Sequence, residues 1–411
     1  MNFRIISMTD ETDLAVQPQP NDNLVEVAAR MLSDVFAHPI QFKHVERLTE
    51  PERRNQLLRC HSAPTPNTPS SFIIKKVETD SHAPLDPDSH DSQRFFGDWV
   101  GSQFLSGLAG GTNHSPRFYA ANRALGFIIL EDLGPHRSLV EPLLHEDAHS
   151  ARKALLRYSV CLGKLHADTT DKFAAFERLY HQVNPGGKSL SSNRTEFEHS
   201  TRQVQSSLQS LGILTEAPLL RELAAIVSAA AAPGPFLAYI HADPCPDNVF
   251  DTAEQMRLID FELGHYGHAL IDAAYGRMIF PSCWCANRLP AALVPEMEAR
   301  YRAELIHGCP AAQDDNVFEQ ALVTICGYWL VNTLAWHLER ALEEDDTWGI
   351  ASTRQRIIAR LEAFIATSQG FGRFPALRDA AGRLHALLFK RWPDSPPLPL
   401  YPAFREPQPE G

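Results

Sequence analysis

The sequence predicts an α+β fold in which a small β-rich lobe precedes a larger, mainly helical lobe. Between about residues 40 and 135, short apolar runs of strand length alternate with turn residues. From about residue 145 the pattern changes to long stretches with the apolar periodicity of helices. The 411 residues are enough for two or three such units.

The β-rich lobe is predicted from four strand-like runs and one helix. The runs are FKHVERLT, NQLLRCHS, SFIIKKV and GFIILEDL. The helix candidate, SQRFFGDWVGSQFLSGL, lies between the third and fourth runs, although its glycines lower the helix propensity. We place this lobe at residues 24–133, after a polar N-terminal tail of residues 1–23 that we expect to be disordered.

The helical lobe is predicted at residues 134–390. HSARKALLRYSVCLGKLHAD carries one apolar stripe, and TEAPLLRELAAIVSAAAA begins with a threonine N-cap candidate and a proline in its first turn. Further helices are predicted at about 312–344 and 350–368. Only FLAYI and QMRLIDF interrupt them as strands. We expect the proline-rich tail, residues 391–411, to lie outside the core.

Composition narrows the classes of function. A net charge of −12 argues against a general nucleic-acid binder, which needs a basic face. We find no apolar run of the roughly 20 residues that a membrane-spanning helix needs, and no signal peptide. These features favour a cytoplasmic protein without a membrane partner. The seven cysteines are scattered without a CxxC pair, so we expect neither a disulfide framework nor structural zinc.

The segment YIHADPCPDNVF, residues 239–250, collects short polar side chains on a loop that two prolines stiffen. If FLAYI and QMRLIDF pair as a hairpin, Asp243, Asn248 and Asp260 lie on loops at one edge. Carboxylate and amide oxygens suit Mg²⁺, and a separate aspartate could accept a proton from a hydroxyl. We expect His241 to hold the loop by hydrogen bonds. A turn that only caps local backbone would explain any one of these residues, but not the whole pattern.

HADPCPDN and IDFE resemble the catalytic and metal loops of the aminoglycoside phosphotransferase and choline kinase-like family, a branch of the protein-kinase-like fold. The resemblance implies that Asp243 and His241 belong to the catalytic loop, and that Asn248 and Asp260 hold Mg²⁺. Cys245 and Glu262 stand where protein kinases have lysine and glycine, as is typical of the small-molecule branch. Ala242 replaces the usual glycine.

The resemblance covers about residues 40–340 and implies a five-stranded antiparallel sheet with one helix, hinged at residues 131–134 to the helical lobe. FIIKKV is similar to the strand whose lysine, here Lys75, contacts the α- and β-phosphates of ATP. FIILEDLG is similar to the linker, in which Glu131 and Leu133 would offer backbone groups to adenine. HALIDAAY implies that Asp272 braces the catalytic loop.

Two positions depart from the family pattern. The turn that should cover the phosphates falls near LTEPERRNQ, which contains no glycine, and Arg53 or Arg54 could compensate for its acidic residues. The helix residue that should pair with Lys75 is Asp98, one methylene shorter than the usual glutamate. Both departures concern ATP affinity, and neither removes the general base or the metal ligands.

The resemblance implies an ATP- and Mg²⁺-dependent phosphotransferase acting on a hydroxyl of a small molecule. The alternative is a catalytically silent kinase-like module that binds a ligand or partner. A hydrolase built on HAD is disfavoured because no G-x-S-x-G elbow occurs. Acids in HLERALEEDDTW, residues 337–348, could attract an amine-bearing substrate, although a solvated acidic helix end is the favoured explanation.

Overall fold

The computed structural model describes residues 20–50, 54–63, 65–77, 90–108, 114–145, 147–187, 194–252 and 254–406. Their packing separates two compact units. The described residues of Met1–Glu78 and Tyr119–Glu131 form the first, and those of Thr79–Phe118 and Asp132–Gly411 form the second. A small sheet unit and a larger helical unit confirm the predicted α+β fold class.

The sheet of the first unit has five strands in the order β1-β2-β3-β5-β4. These are β1 (Phe42–Arg47), β2 (Asn55–Ser62), β3 (Ser71–Val77), β4 (Phe118–Asn122) and β5 (Phe127–Glu131). β3 pairs antiparallel with β2 and β5, placing Lys75 opposite Leu57 and Ile128. The predicted five-stranded sheet is confirmed.

A helix that sequence analysis did not predict, α1 (Pro20–Phe36), covers one face of this sheet. Its residues Leu24, Ala28 and Leu32 recur at helical spacing and share a buried core with Phe72 of β3. The helix begins inside the segment that we expected to be a disordered tail. Residues 1–19 of that segment lie outside the described residues.

The second unit is mainly helical. It contains α2 (His90–Ser106), α3 (Val140–His145), α4 (Ala148–Thr169), α5 (Phe173–Val183), α6 (Arg194–Ser210), α7 (Ala217–Ala231), α8 (Leu270–Ala273), α9 (Leu293–Leu305), α10 (Asp315–Glu343), α11 (Thr353–Phe371) and α12 (Pro375–Arg391). The predicted helix of the β-rich lobe is confirmed as α2, but it packs within the second unit, against the turn Phe261–Leu263 and α5.

Short strands connect these helices. They are β6 (Arg137–Ser138), β7 (Leu237–Ile240), β8 (Val249–Asp251), β9 (Met256–Leu258), β10 (His265–His268), β11 (Thr347–Trp348) and β12 (Ala351–Ser352). The predicted hairpin of FLAYI with QMRLIDF is wrong. β7 pairs with β10, while β9 pairs with β8. The reason is local: β8 directly follows the loop after β7, and a short turn returns the chain to β9 at a lower loop-closure cost than a longer connection.

Helix α7 starts differently from the prediction. Its N-cap is Glu216, without a side-chain capping bond, and not the predicted threonine. Thr215 Oγ1 instead accepts a hydrogen bond from Gln209 Nε2 at 2.6 Å. The proline predicted in the first turn is confirmed as Pro218. Its fixed φ suits a position where no intrahelical N–H bond is needed.

Among the described helices, α10 alone has the length and composition of a membrane-spanning helix. We expected no apolar segment long enough to span a membrane, and the length and composition of α10 show that this expectation is wrong. However, 78% of the apolar window of α10 is buried inside the structure, where the helix packs on α6, α7 and α11. A core helix needs the same apolar residues, so burial accounts for this composition.

The proline-rich segment after α12 does not lie outside the core as we expected. Trp392, Leu398 and Tyr401 are buried. The backbone there pairs with Arg288, whose N–H donates to Pro399 O at 2.9 Å and whose carbonyl accepts from Tyr401 N at 3.0 Å. Apolar side chains spaced along a proline-rich segment can therefore still pack into a core. Residues 407–411 lie outside the described residues.

Candidate active site

Asp272 braces the loop that begins at His241. Its carboxylate accepts hydrogen bonds from His241 N at 2.7 Å and Ala242 N at 3.0 Å. His166 Nε2 lies 3.2 Å from the same carboxylate. Ala242 has φ 64°, a left-handed conformation that favours glycine and explains why the family usually has one there. The predicted bracing role of Asp272 is confirmed.

His241 joins the two candidate loops. Its Nε2 lies 2.8 Å from Ile259 O, and its Nδ1 accepts from Asp243 N at 3.3 Å. The ring is fully buried and packs on Phe261 with centroids 4.9 Å apart. This geometry agrees with our expectation that His241 holds the loop. A buried ring engaged at both nitrogens positions its neighbours and does not meet a substrate.

Asp243 is half-buried and points toward residues 282–283. Its Oδ1 accepts a hydrogen bond from Ser282 Oγ at 2.5 Å and lies 3.1 Å from Cys245 Sγ. Burial raises the pKa of this carboxyl group, and the Ser282 hydrogen bond opposes that rise because it stabilises the ionised form. Asp243 therefore has one oxygen held by the protein in a partly desolvated site, as a proton acceptor needs.

Asn248 and Asp260 are brought together by the backbone. Ile259 N donates to Asn248 O at 3.0 Å, so the two segments run side by side. The Asn248 Nδ2 donates to Asp243 O at 3.0 Å, which turns the amide oxygen away from that carbonyl. Asp260 has a left-handed conformation, φ 68° and ψ 61°, immediately before the turn Phe261–Leu263.

Three carboxylates surround this turn. Ligand oxygens of Asp98, Asp260 and Glu262 all lie within 4.8 Å of one another. Asp98 Oδ1 also accepts a hydrogen bond from Phe261 N at 3.0 Å, and Arg94 lies 3.8 Å from Glu262. Closely spaced oxygen ligands fit a hard divalent cation such as Mg²⁺. Sequence analysis noted Glu262 in the motif but assigned it no ligand role. Its position two residues after Asp260 was the feature of the sequence that could have indicated a ligand role.

The other predicted nucleotide contacts are distributed over the two units. Lys75 is buried on β3, and Glu131 is the last residue of β5, both in the first unit. Asp98 and Leu133 belong to the second unit. Pairing of Lys75 with Asp98 and adenine contacts at Glu131 and Leu133 therefore stay predictions. Within the predicted phosphate-covering turn, residues 48–56, Arg53 and the two residues before it lie outside the described residues.

Two residues near Asp243 were missed by sequence analysis. Ser282 carries no motif. Cys283 forms a disulfide with Cys245, with Cα atoms 5.5 Å apart. Our expectation of no disulfide is thus wrong for this pair, because residues 38 positions apart in sequence are brought together only by the fold. The other five cysteines are free and buried, as we expected for the set as a whole.

The acidic residues at the end of α10 are engaged locally. Asp346 pairs with Arg340 at 2.5 Å, and its carbonyl accepts from Thr353 N at 2.8 Å. Asp345 Oδ1 accepts from Arg354 N at 3.0 Å, at the start of α11. Asp345 and Asp346 thus stabilise the connection between α10 and α11, and this role accounts for both acids without a substrate.

Comparison with known proteins finds a family model that matches the segment containing this site. The model described as the phosphotransferase enzyme family matches residues 129–308, which include Asp243, Asn248 and Asp260. Residues 129–308 are therefore similar to the phosphotransferase enzyme family. The resemblance inferred from HADPCPDN and IDFE is thereby confirmed. A search of curated protein sequences finds no match.

Solved structures of three kinases are similar to the chain at low identity. Choline kinase from Cryptosporidium parvum is 11% identical, with 90% of this chain and 99% of the other covered and a TM-score of 0.48. Ethanolamine kinase from Plasmodium vivax is 13% identical, with 80% and 84% covered and a score of 0.45. An ADP-bound aminoglycoside phosphotransferase is 14% identical, with 84% and 99% covered and a score of 0.44. All three scores lie below 0.5.

Proposed function

We propose that this protein transfers the γ-phosphoryl group of ATP, with Mg²⁺, to a hydroxyl of a small molecule. The observation that carries the proposal is the coupling of the two loops in the second unit. His241 links Asp243 to Ile259 by side-chain bonds, and the backbone bond from Ile259 to Asn248 sets the loops side by side. A proton acceptor and an oxygen-rich cation site are the two parts that such a reaction requires.

Asp243 is proposed as the general base. It orients the acceptor hydroxyl and takes its proton as the acceptor oxygen forms a bond to the γ-phosphorus. The bond from that phosphorus to the bridging β–γ oxygen breaks, and ADP leaves with its electron pair. Charge is thus conserved between the base, the product phosphate and ADP. Most of the rate enhancement in such transfers comes from positioning and charge stabilisation, so few reactive groups are needed.

Asn248 and Asp260 are proposed to hold Mg²⁺, with Asp98 and Glu262 contributing to the same oxygen-rich site. The carboxylate spacing reported above fits the oxygen ligand set of a hard cation. When bound, the cation would neutralise charge on the phosphate oxygens. Lys75 is proposed to contact the α- and β-phosphates, and backbone groups of Glu131 and Leu133 to contact adenine.

The acceptor is proposed to be a small molecule and not a nucleic acid or a membrane component, and the protein is proposed to be cytoplasmic. The net charge of −12 supports the first point. Amine-bearing hydroxyl compounds are a rational first set to test. The acids at residues 343–346 give them limited support, because Asp345 and Asp346 are bonded to neighbouring residues.

The direct test is substrate-dependent ADP release from Mg²⁺-ATP over a panel of amino-alcohols, sugars and aminoglycosides. We expect at least one hydroxyl compound to raise ADP release, and phosphorus NMR to show a new phosphate monoester. The melting temperature should also rise with Mg²⁺-ATP, because a ligand that binds the native state stabilises it. Stabilisation by Mg²⁺-ATP with no phosphorylated product across a broad panel would favour the silent-module alternative.

A further inference from the structure

The Ser282 hydroxyl holds one side of the Asp243 carboxylate. It donates to Oδ1 at 2.5 Å, and no residue in the described part of the chain donates to Oδ2. Ser282 lies 39 residues after Asp243 and is half-buried. A hydrogen bond to one oxygen limits rotation of the carboxylate, so it sets the direction in which the other oxygen faces.

Tyr275 completes a chain of hydroxyl groups behind Ser282. Its OH lies 2.9 Å from Ser282 Oγ and 3.0 Å from Ala242 O. Because Ser282 donates its hydroxyl proton to the Asp243 carboxylate, its oxygen acts as an acceptor toward Tyr275. The single Tyr275 hydroxyl proton is therefore shared between Ser282 Oγ and the Ala242 carbonyl. Donation into Ser282 Oγ would polarise the serine hydroxyl and strengthen its bond to Asp243. The Tyr275 ring is fully buried and packs edge-on against Trp329, so it is rigid.

Two buried arginines of α11 hold residues 278–284, here named the Ser282 segment. Arg360 donates to the carbonyls of Met278, Ile279 and Phe280 at 3.3–3.4 Å, before Ser282. Arg356 donates to Cys283 O at 2.6 Å and Trp284 O at 2.9 Å, after it. The serine is therefore fixed from both sides by backbone bonds.

The conformation of the Ser282 segment is itself unusual. Ile279 and Phe280 have φ of 60° and 43°, in the left-handed region that branched and aromatic residues avoid. The disulfide from Cys283 to Cys245 ties the segment to the catalytic loop on the opposite side of Ser282. Such backbone strain persists only where surrounding bonds hold it, as the two arginines and the disulfide do here.

We propose that Ser282 is a positioning residue for phosphoryl transfer, which orients Asp243 so that Oδ2 faces the acceptor hydroxyl. This inference rests on the proposed function, because it needs Asp243 to be the base. Among the described residues, the Ser282 hydroxyl contacts Asp243, Tyr275 and Cys245, and not the proposed metal ligands. Its contribution should therefore appear in the chemical step and not in nucleotide binding.

The test is Ser282→Ala, assayed by ADP release from Mg²⁺-ATP with water as acceptor and with the active member of the panel. Loss of a hydrogen bond to a charged group predicts a fall in kcat of roughly 10- to 100-fold. KM for ATP and the Mg²⁺-ATP melting shift should stay at wild-type values. Ser282→Thr retains the hydroxyl and should restore most of kcat.

Ser159→Ala is the matched control. This serine is also buried in the second unit, but among the described residues its hydroxyl bonds only to Leu155 O of its own helix, at 3.1 Å. It should turn over like wild type. If Ser282→Ala does not fold, Tyr275→Phe tests the same chain one bond further out, and we expect a smaller fall in kcat with KM for ATP unchanged.

The Asp243→Asn background separates this inference from the proposed function. If Ser282 acts through Asp243, Ser282→Ala should cost little further once the base is gone. Wild-type turnover by Asp243→Asn would refute the proposed function itself. An inactive Asp243→Asn beside a Ser282→Ala of wild-type kcat would refute only the positioning role. If Ser282→Ala lowers kcat by the same factor in the wild-type and Asp243→Asn proteins, the positioning role is also refuted.

Discussion

Asp98 Oδ1 accepts a hydrogen bond at 3.0 Å from the backbone N–H of Phe261, the residue directly after Asp260. This bond connects α2 to the turn that carries the proposed metal ligands. A residue that we aligned as the partner of Lys75 is thus also a backbone acceptor in the carboxylate cluster. Substitution can separate the two roles. Accepting a hydrogen bond from Phe261 N–H needs only an oxygen, whereas pairing with Lys75 needs the negative charge.

Asp98→Ala should destabilise the fold, whereas Asp98→Asn should not. Alanine leaves the buried Phe261 N–H without an acceptor, at a cost of about 1–3 kcal/mol. Asparagine keeps the acceptor oxygen but removes the charge, so its apo melting temperature should be close to wild type while its Mg²⁺-ATP shift is reduced. Differential scanning fluorimetry measures both. A full Mg²⁺-ATP shift in Asp98→Asn would contradict a role for its charge in nucleotide binding.

Asp260→Asn should abolish the Mg²⁺-dependent part of nucleotide stabilisation. Asparagine tolerates the left-handed conformation at this position better than alanine, so the change isolates the lost anionic ligand from backbone strain. Asn248→Ala should weaken the same effect less, because a neutral oxygen contributes less to a divalent ion. Melting shifts are compared with ATP plus Mg²⁺ and with ATP plus EDTA. Equal Mg²⁺-dependent shifts in wild type and both variants would exclude the metal roles.

Asp243→Asn should lower kcat by roughly 10² to 10⁴, the range for a positioned general base. The change keeps the side-chain shape and an acceptor oxygen for Ser282, yet it removes the charge that favours proton loss from the acceptor. KM for ATP should change little, because this carboxylate acts on the acceptor and not on the nucleotide. Steady-state kinetics with the active acceptor measures both constants. Wild-type turnover would mean that Asp243 is only a loop residue.

Alkylation of the unfolded, unreduced protein should label five of the seven cysteines, because Cys245 and Cys283 are joined. The Cys245→Ser/Cys283→Ser variant should lose about 2–4 kcal/mol of unfolding free energy, since the cross-link constrains the unfolded chain. Cys285→Ser changes a buried free thiol of the same region and serves as the control. Seven labelled cysteines, found by mass spectrometry of protein purified without reductant, would show that the pair is not bonded.

His268 should make the fold sensitive to acid. Burial, with a smaller contribution from His166, lowers its pKa from 6.5 to about 3, and its Nδ1 accepts a hydrogen bond from Leu270 N at 3.2 Å. The unfolded chain therefore binds a proton below pH 6.5 that the native state does not bind, so stability falls as the pH falls. Between pH 7 and pH 5 the loss is about 2 kcal/mol.

The matched variant is His268→Asn, whose side-chain oxygen can accept from the same N–H but does not titrate. Urea unfolding at pH 5 and pH 7 should show a pH dependence smaller by about 2 kcal/mol than in wild type. The remaining dependence belongs to other groups, including half-buried His337, whose pKa partial burial lowers to about 4. An unchanged pH dependence in His268→Asn would contradict a neutral buried imidazole.

Local patterns predicted four of the five strands of the first unit, and helices α2, α4, α7, α10 and α11 of the second. Strand β4 followed only from the five-stranded sheet that the family resemblance implied. Helix α4 and strand β3 have strong apolar periodicity. The polar loop between β7 and β8 contains two prolines, which exclude a regular helix or central strand there. Helix α1 was missed because only its first residues, 20–23, were considered, as part of a polar tail; no element was predicted for residues 24–36, although Leu24, Ala28 and Leu32 have helical spacing. The burial of Tyr401 was missed because composition alone suggested a solvated segment.

The sequence by itself determined which residues carry the chemistry in the proposed function. Asp243, Asn248 and Asp260 lie in two short motifs whose residue types and spacing imply a proton acceptor beside oxygen ligands. Only the tertiary structure decided what surrounds them. Ser282 and Cys283 approach Asp243 and Cys245 from nearly 40 positions away, and Asp98 reaches Phe261 across 163 residues. Contacts at such separations leave no periodic signal, because chain folding and not local spacing brings the partners together.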